Sequence, residues 1–187
     1  MDSFSYLSVF ISLILGLGVT HLLTGVAALI RSRRQVRLWW PTPLWMATTF
    51  LIQVQTWWAM FTLRTIEHWS FAAFLIVLLQ PVAIFMMAAL IVPRPLAGQT
   101  ADLQDEYFRE YRWFFSALLL ALIASLAKNL ILTGSLPEPR NLTAHIVFIG
   151  ISIAAFVSRS ARVHLLLALA GLALLTGYIA LLFTTLS

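Results

Sequence analysis

The sequence predicts an all-α integral membrane bundle, a single domain over residues 1–187 with about six transmembrane helices and both termini on the outer, periplasmic side. Three observations carry this prediction. Composition is one: 61% of the 187 residues are hydrophobic and 10% are charged, where a soluble domain carries about 25% charged residues. The mean hydropathy is +0.93. The placing of the charges is another. They fall into short clusters separated by apolar runs, and at a rise of 1.5 Å per residue about 20 residues cross the roughly 30 Å hydrocarbon core of a bilayer. The third is the unequal sharing of arginine between alternate loops, which sets orientation.

The first run, residues 4–30, follows Asp2 rather than a basic segment. It is too long for a signal-peptide core and has no small-residue cleavage pattern behind it, so it reads as a retained first helix. Further spans are expected near residues 43–63, 71–92, 113–133, 142–158 and 163–186, the fifth only just long enough. After the third, Pro93–Arg94–Pro95 breaks the chain, and Asp102 stands where a helix cap belongs. DEYFREYRW then sets Asp105 and Arg109 four residues apart on one helical face. A cytoplasmic helical loop near residues 102–112, with a solvated face of mixed charge, should therefore run into the fourth span. The stretch GSLPEPRN, residues 134–141, is a tight turn with two prolines.

The loops after the first, third and fifth runs hold Arg31, Arg33, Arg34 and Arg37, then Arg94, Arg109 and Arg112, then Arg159 and Arg162. The alternate loops hold only Arg64 and Arg140. Nine against two places the first set in the cytoplasm. Trp39, Trp40, Trp69 and Trp113 stand at the ends of runs, where indole rings anchor helices at the membrane interface. The basic residues are eleven Arg to one Lys in a chain rich in Ala and Leu, the composition of a GC-rich bacterial genome, which points to a bacterial inner membrane.

Several kinds of chemistry are excluded. With no cysteine there is no disulfide framework, thiolate metal site or thiol nucleophile. The net charge of +5 has a topological explanation in the short loops, so nucleic acid is not an expected partner. The sequence contains no P-loop, dinucleotide fingerprint, H-E-x-x-H or G-x-S-x-G motif, and its carboxylates all lie in loops or at surfaces. No motif implies a metal or cofactor, and an enzyme is not the expected reading.

The polar residues inside the spans are the candidates for function. Lys128 is the one charged residue well inside a predicted span, and its insertion costs at least ~2.5 kcal/mol even on the lenient translocon scale. It continues a stripe of small residues, Ala117, Ala121 and Ala124, flanked by Ser125 and Asn129, which aims it at other helices. Three readings fit: snorkelling to the outer headgroups, a structural bond to Asn129, to carbonyls or to Asp2, Glu67 or Glu138, or a cation lining an outward-connected polar cavity and favouring anions. On the first span Gly18, His21 and Gly25 share a stripe, the glycines admitting a neighbouring helix and His21 pointing into that contact. His21 reads as a neutral core residue, a proton relay or a haem or metal ligand. His164 shares a stripe with Ala168, Gly171 and Tyr178 on the sixth span, at a depth that matches His21 poorly for two axial ligands of one haem. Gly150 and Gly171 are further helix-packing candidates. The second span has polar residues on two opposed stripes, Thr49, Gln53 and Thr56 against Thr48, Gln55 and Thr62, and so should be the most enclosed helix. Gln80–Pro81 predicts a kink near the middle of the third span, because proline frees the carbonyl of Val77.

The opening SFSYLSVFISLILGLGVTHLLTG and the stretch DEYFREYRWFFSALL resemble small multi-pass membrane proteins of unassigned function from bacterial genomes. The resemblance implies an all-helical inner-membrane fold and carries no site or activity. Two functional classes follow from the residues themselves. One is a small transporter or channel with a polar interior built from His21, Gln53, Gln55, Gln80, Lys128 and Asn129. The other is a structural, accessory or sensory subunit that packs against a partner membrane protein or a second copy of itself. A haem- or quinone-binding protein is a third and weaker alternative. Convergence of the six polar residues on one cavity favours the first class; their dispersal among helix contacts favours the second.

Overall fold

The computed structural model describes residues 3–66, 69–93 and 101–182. Asp2, Glu67 and Arg94, all weighed above, lie outside them. The described chain is all-helical: α1 Ser3–Arg31, α2 Pro41–Ala59 running into a 3₁₀ turn Met60–Thr65, α3 Phe71–Ile91, α4 Leu103–Thr133, α5 Pro139–Val157 and α6 Ala161–Leu182. Five of the six, all but α2, are long and apolar enough to cross a membrane. Large apolar side chains such as Val157, Leu166 and Leu181 stand on the outside of the bundle. Such a surface suits hydrocarbon rather than water.

The helix ends follow from local chemistry. Ser70 caps α3 by accepting from the Ala73 amide at 3.1 Å. Asp102 caps α4 as its position suggested, accepting from the Gln104 amide at 2.8 Å. Gly134 ends α4 in the left-handed region, φ 67°, where a side chain would be strained, and its amide closes on the Leu130 carbonyl at 3.0 Å. The expected loop helix near 102–112 is the first part of α4 itself. That helix runs unbroken for 31 residues, about 46 Å at 1.5 Å per residue, and so extends beyond a 30 Å core. The expected Asp105–Arg109 pairing does not form; Arg109 bonds Glu106 instead at 2.8 Å, one residue closer along the same face.

A short feature was not foreseen. Val36 and Arg37 (β1) pair in parallel with Ala101 and Asp102 (β2), and Arg37 meets the Asp102 carboxylate at 3.1 Å. This ties the first basic loop to the start of α4. The Ser158 carbonyl and Tyr107 meet at His164, which brings the α5–α6 turn to the same end. The described arginine-rich segments thus share one end of the bundle, and the 3₁₀ turn and the 134–138 turn share the other.

α3 and α4 form the most extensive helix pair, with Ala117, Ala121 and Ala124 buried in the seam. α2 touches α1, α3, α4 and α6. Its buried residues include Thr42, Thr48, Thr49, Gln53 and Thr56, polarity that suits protein neighbours better than lipid. At the arginine-rich end Trp45 forms an aromatic layer with Phe114 and Phe115, ring centroids 5.5 and 5.2 Å away. Gly171 lets α6 close on it: a Cβ there would lie 3.1 Å from the Trp45 ring.

Candidate functional site

Between α2, α3, α4, α5 and α6, in the half of the bundle away from the arginine-rich end, lies a cavity of about 570 Å³. Its mouth is formed by Thr65, Ser135, Leu136 and Glu138, and its floor by Ile52, Ile84, Leu118 and Phe148. One helical turn below Leu118 stands the aromatic layer of Trp45, Phe114 and Phe115, all three buried. The cavity is therefore open at one end and sealed by packed rings at the other.

Four of the six polar candidates face this space: Gln55, Gln80, Lys128 and Asn129. The Lys128 ammonium donates to Gln80 Oε1 at 3.0 Å, across from α4 to the middle of α3. That contact is the outcome of two local choices. The alanine stripe turns Lys128 toward α3, and Gln80 precedes Pro81, so it sits where the helix ladder lacks one donor. The ammonium is held inward by a neutral amide, which differs both from snorkelling and from pairing with an acid. Gln80 spends its carbonyl oxygen on the ammonium, which leaves its NH₂ as a donor beside the charge. Asn129 donates to the Ser125 carbonyl at 3.0 Å, which leaves its own oxygen as an acceptor.

The wall beside Lys128 was not anticipated. His145 Nδ1 lies 2.7 Å from the Asn141 carbonyl and Nε2 lies 3.1 Å from Ser125 Oγ. A carbonyl only accepts, so Nδ1 carries a proton and donates to it, while Nε2 pairs with the serine hydroxyl, which leaves both ring nitrogens satisfied. Tyr178 donates to Asn141 Oδ1 at 2.9 Å. Glu138, at the mouth, is the one carboxylate lining the cavity among the described residues. The signal that could have found this wall is the i, i+4 spacing of Asn141 and His145 on α5, together with Tyr178 on the α6 stripe.

The remaining candidates lie elsewhere. Gln53 is 1% exposed and packs against α1 at Gly18, where a Cβ would sit 2.5 Å from its Oε1. The two polar stripes of α2 do not separate cleanly: Gln55, Thr56 and Thr62 line the cavity, drawn from both stripes, while Thr48, Thr49 and Gln53 are buried away from it. Gly25 brings α1 onto Val92, 2.6 Å from a notional Cβ. His21 does not enter the Gly18–Gly25 contact; it is exposed on the outside of α1, because 100° per residue carries it away from a stripe defined by the two glycines. Gly150 also faces open space: among the described residues nothing lies near a notional Cβ, so the expected helix packing there is not seen.

His164 is fully buried at the arginine-rich end. Tyr107 Oη lies 2.8 Å from Nδ1 and the Ser158 carbonyl 3.1 Å from Nε2. Nε2 must donate to the carbonyl, so Nδ1 accepts from the tyrosine. Rings of Phe108, Tyr111 and Phe115 surround it at 5.0 to 5.9 Å. Both nitrogens have hydrogen-bond partners within the chain, so His164 locks the α5–α6 turn to α4. Among the described residues no group of three or more His, Asp and Glu comes together to hold a metal ion. No family model, curated protein or solved structure matches this chain.

Proposed function

We propose that this chain is a small bacterial inner-membrane transport protein of six spans, with both termini outside and the cavity as its outward-facing solute site. The single observation that carries the reading is the convergence of Gln55, Gln80, Lys128 and Asn129 on one cavity. An ammonium inside a span costs at least ~2.5 kcal/mol, and a neutral glutamine offsets only part of that. A hydrated pathway with exchangeable anions accounts for the rest. In this reading α2 is the sixth span, polar because protein and cavity surround it, and the Trp45–Phe114–Phe115 layer is the closed inner gate. The nine-to-two distribution of basic loop residues supports the orientation.

Lys128→Met keeps the bulk of the stem and removes the charge. Measured in liposomes beside thermal stability, it should abolish uptake of labelled chloride, acetate and octanoate while leaving the protein folded, and Lys128→Arg should retain uptake. Unchanged uptake in a stable Lys128→Met protein would remove the cavity from the transport account.

A second reading rests on a separate observation. Thr20, His21 and Thr24 form an exposed polar patch on the outside of α1, where lipid would otherwise sit. A partner membrane protein or a second copy covering that patch would make the chain an accessory or oligomeric subunit. Cross-linking from position 21 in native membranes separates the two: a single adduct of defined mass favours a subunit, and no adduct favours a lipid-facing histidine.

A further inference from the structure

We propose that the cavity takes an amphipathic organic monoanion, a carboxylate on an apolar body, with the carboxylate at Lys128 and Gln80 and the body against the floor. This deepens the transport reading above and rests on it for the site, though binding can be read without transport. Four observations lead to it. The polar pole is rich in donors: Lys128 has two N–H groups beyond its bond to Gln80, and the Gln80 amide adds two more. That pole fits an acceptor-only head group and repels a cation. There is one lysine and it is deep, while the one carboxylate that lines the cavity among the described residues, Glu138, is at the mouth. One negative charge is therefore matched, and a second would sit uncompensated against apolar wall.

The wall itself is the third observation. Ile52, Ile84, Leu118, Phe148 and Leu175 line the space around and beneath the charge. The lining thus joins a polar face, with Gln55, Asn129 and Tyr178 among others, to an apolar one, which suits a solute that is itself amphipathic. Size is the fourth. The cavity, at about 570 Å³, is roughly twenty times the ~30 Å³ that a water molecule takes in the liquid. It lies within the range of about 300 to 1,000 Å³ that encloses a small organic ligand. Chloride or acetate would leave most of it unfilled. The shared chemistry can arrive from the aqueous phase as a medium-chain or aromatic carboxylate, or from the bilayer as a fatty acid.

Purified full-length protein in phosphatidylcholine nanodiscs, with labelled octanoate, oleate, octylamine, octanol and acetate, tests the class. Octanoate or oleate should bind saturably at one per chain. Acetate should bind at least about 100-fold more weakly for want of the apolar body. Octylamine and octanol should bind weakly, and Lys128→Met should lower carboxylate affinity by roughly 30-fold or more. Saturation by octanoate identifies an aqueous source; saturation by oleate alone identifies the bilayer. Should Lys128→Met fail to fold, saturating octanoate or oleate should slow the reaction of Gln55→Cys with an impermeant maleimide, which leaves Lys128 in place. The class is overturned if neither carboxylate binds or protects, if octylamine or octanol binds as tightly, if acetate matches octanoate, or if a stable Lys128→Met protein binds unchanged. Liposome uptake reads the other question. Carboxylate binding without uptake discards transport and keeps the class, whereas Lys128-dependent chloride uptake without carboxylate binding discards the class and keeps transport.

Discussion

Gly18 and Gln53 form a close contact between α1 and α2. The Gln53 side chain is 1% exposed, so to admit a methyl group at a point 2.5 Å from Oε1 its amide would have to shift within the packed interior. Gly18→Ala should therefore destabilise the protein by about 1–3 kcal/mol, the usual cost of overpacking. Gln53→Ala removes the obstruction. In the double mutant the penalty for Gly18→Ala should largely vanish, a coupling that a thermal-unfolding double-mutant cycle in detergent reads directly. Gly150→Ala, with open space around it, should change stability by no more than about 0.5 kcal/mol. Tyr107→Phe leaves the buried Nδ1 of His164 without its donor and should cost about 1–3 kcal/mol. At this scale the sequence was partly legible. Lys128, Gln80, Gln55 and Asn129 stood out because polar side chains are rare in apolar runs and their helical phase is fixed by spacing. His145, Ser125 and Tyr178 did not, since each reads as ordinary on its own helix and acquires meaning only from the neighbour across the gap. His21 failed for the opposite reason: a glycine stripe fixes the direction of the glycines and not of the histidine beside them.

Among the helices, α2 departs most from a plain apolar span. It is the one helix that length and apolarity together do not mark as membrane-crossing, and it touches four others. Gln53 lies in packed protein and Gln55 on the cavity wall, which yields a sharp contrast between near neighbours. Gln55→Cys should react with a small impermeant thiol reagent in the folded protein, whereas Gln53→Cys, two residues away, should not react without unfolding. Equal reactivity at both positions would mean that α2 is not enclosed as described. Helix positions were legible because hydropathy, prolines and caps act locally: Asp102 and Gly134 bound α4 through their own side chain and backbone. The fusion of the loop helix with the fourth span was half visible, since nothing in DEYFREYRW breaks a helix. The pairing of Val36 and Arg37 with Ala101 and Asp102 was not visible at all. Two residues carry no period, and their meeting depends on how α1, α3 and α4 are arranged in space.

The described residues are ordered along the bundle, with arginines and the His164–Tyr107 lock at one end, the aromatic layer next, and the polar cavity in the other half. Charge asymmetry foretold the two ends, because loop arginines are sorted in sequence before any packing occurs. The cavity was foretold only as an alternative. Whether polar residues on different helices meet or scatter depends on helix order around the bundle, which short loops and hydropathy leave open. The account rests on a cavity that reaches Lys128 from the outside, and the most direct test is the thiol reactivity of Asn129→Cys, beside Lys128, in intact cells. With an impermeant maleimide, position 129 should label without permeabilisation, as should Arg140→Cys, while Arg33→Cys should label only after permeabilisation. If position 129 labels only from the cytoplasmic side, or stays unreactive from both sides in a folded protein, the outward-facing cavity is wrong.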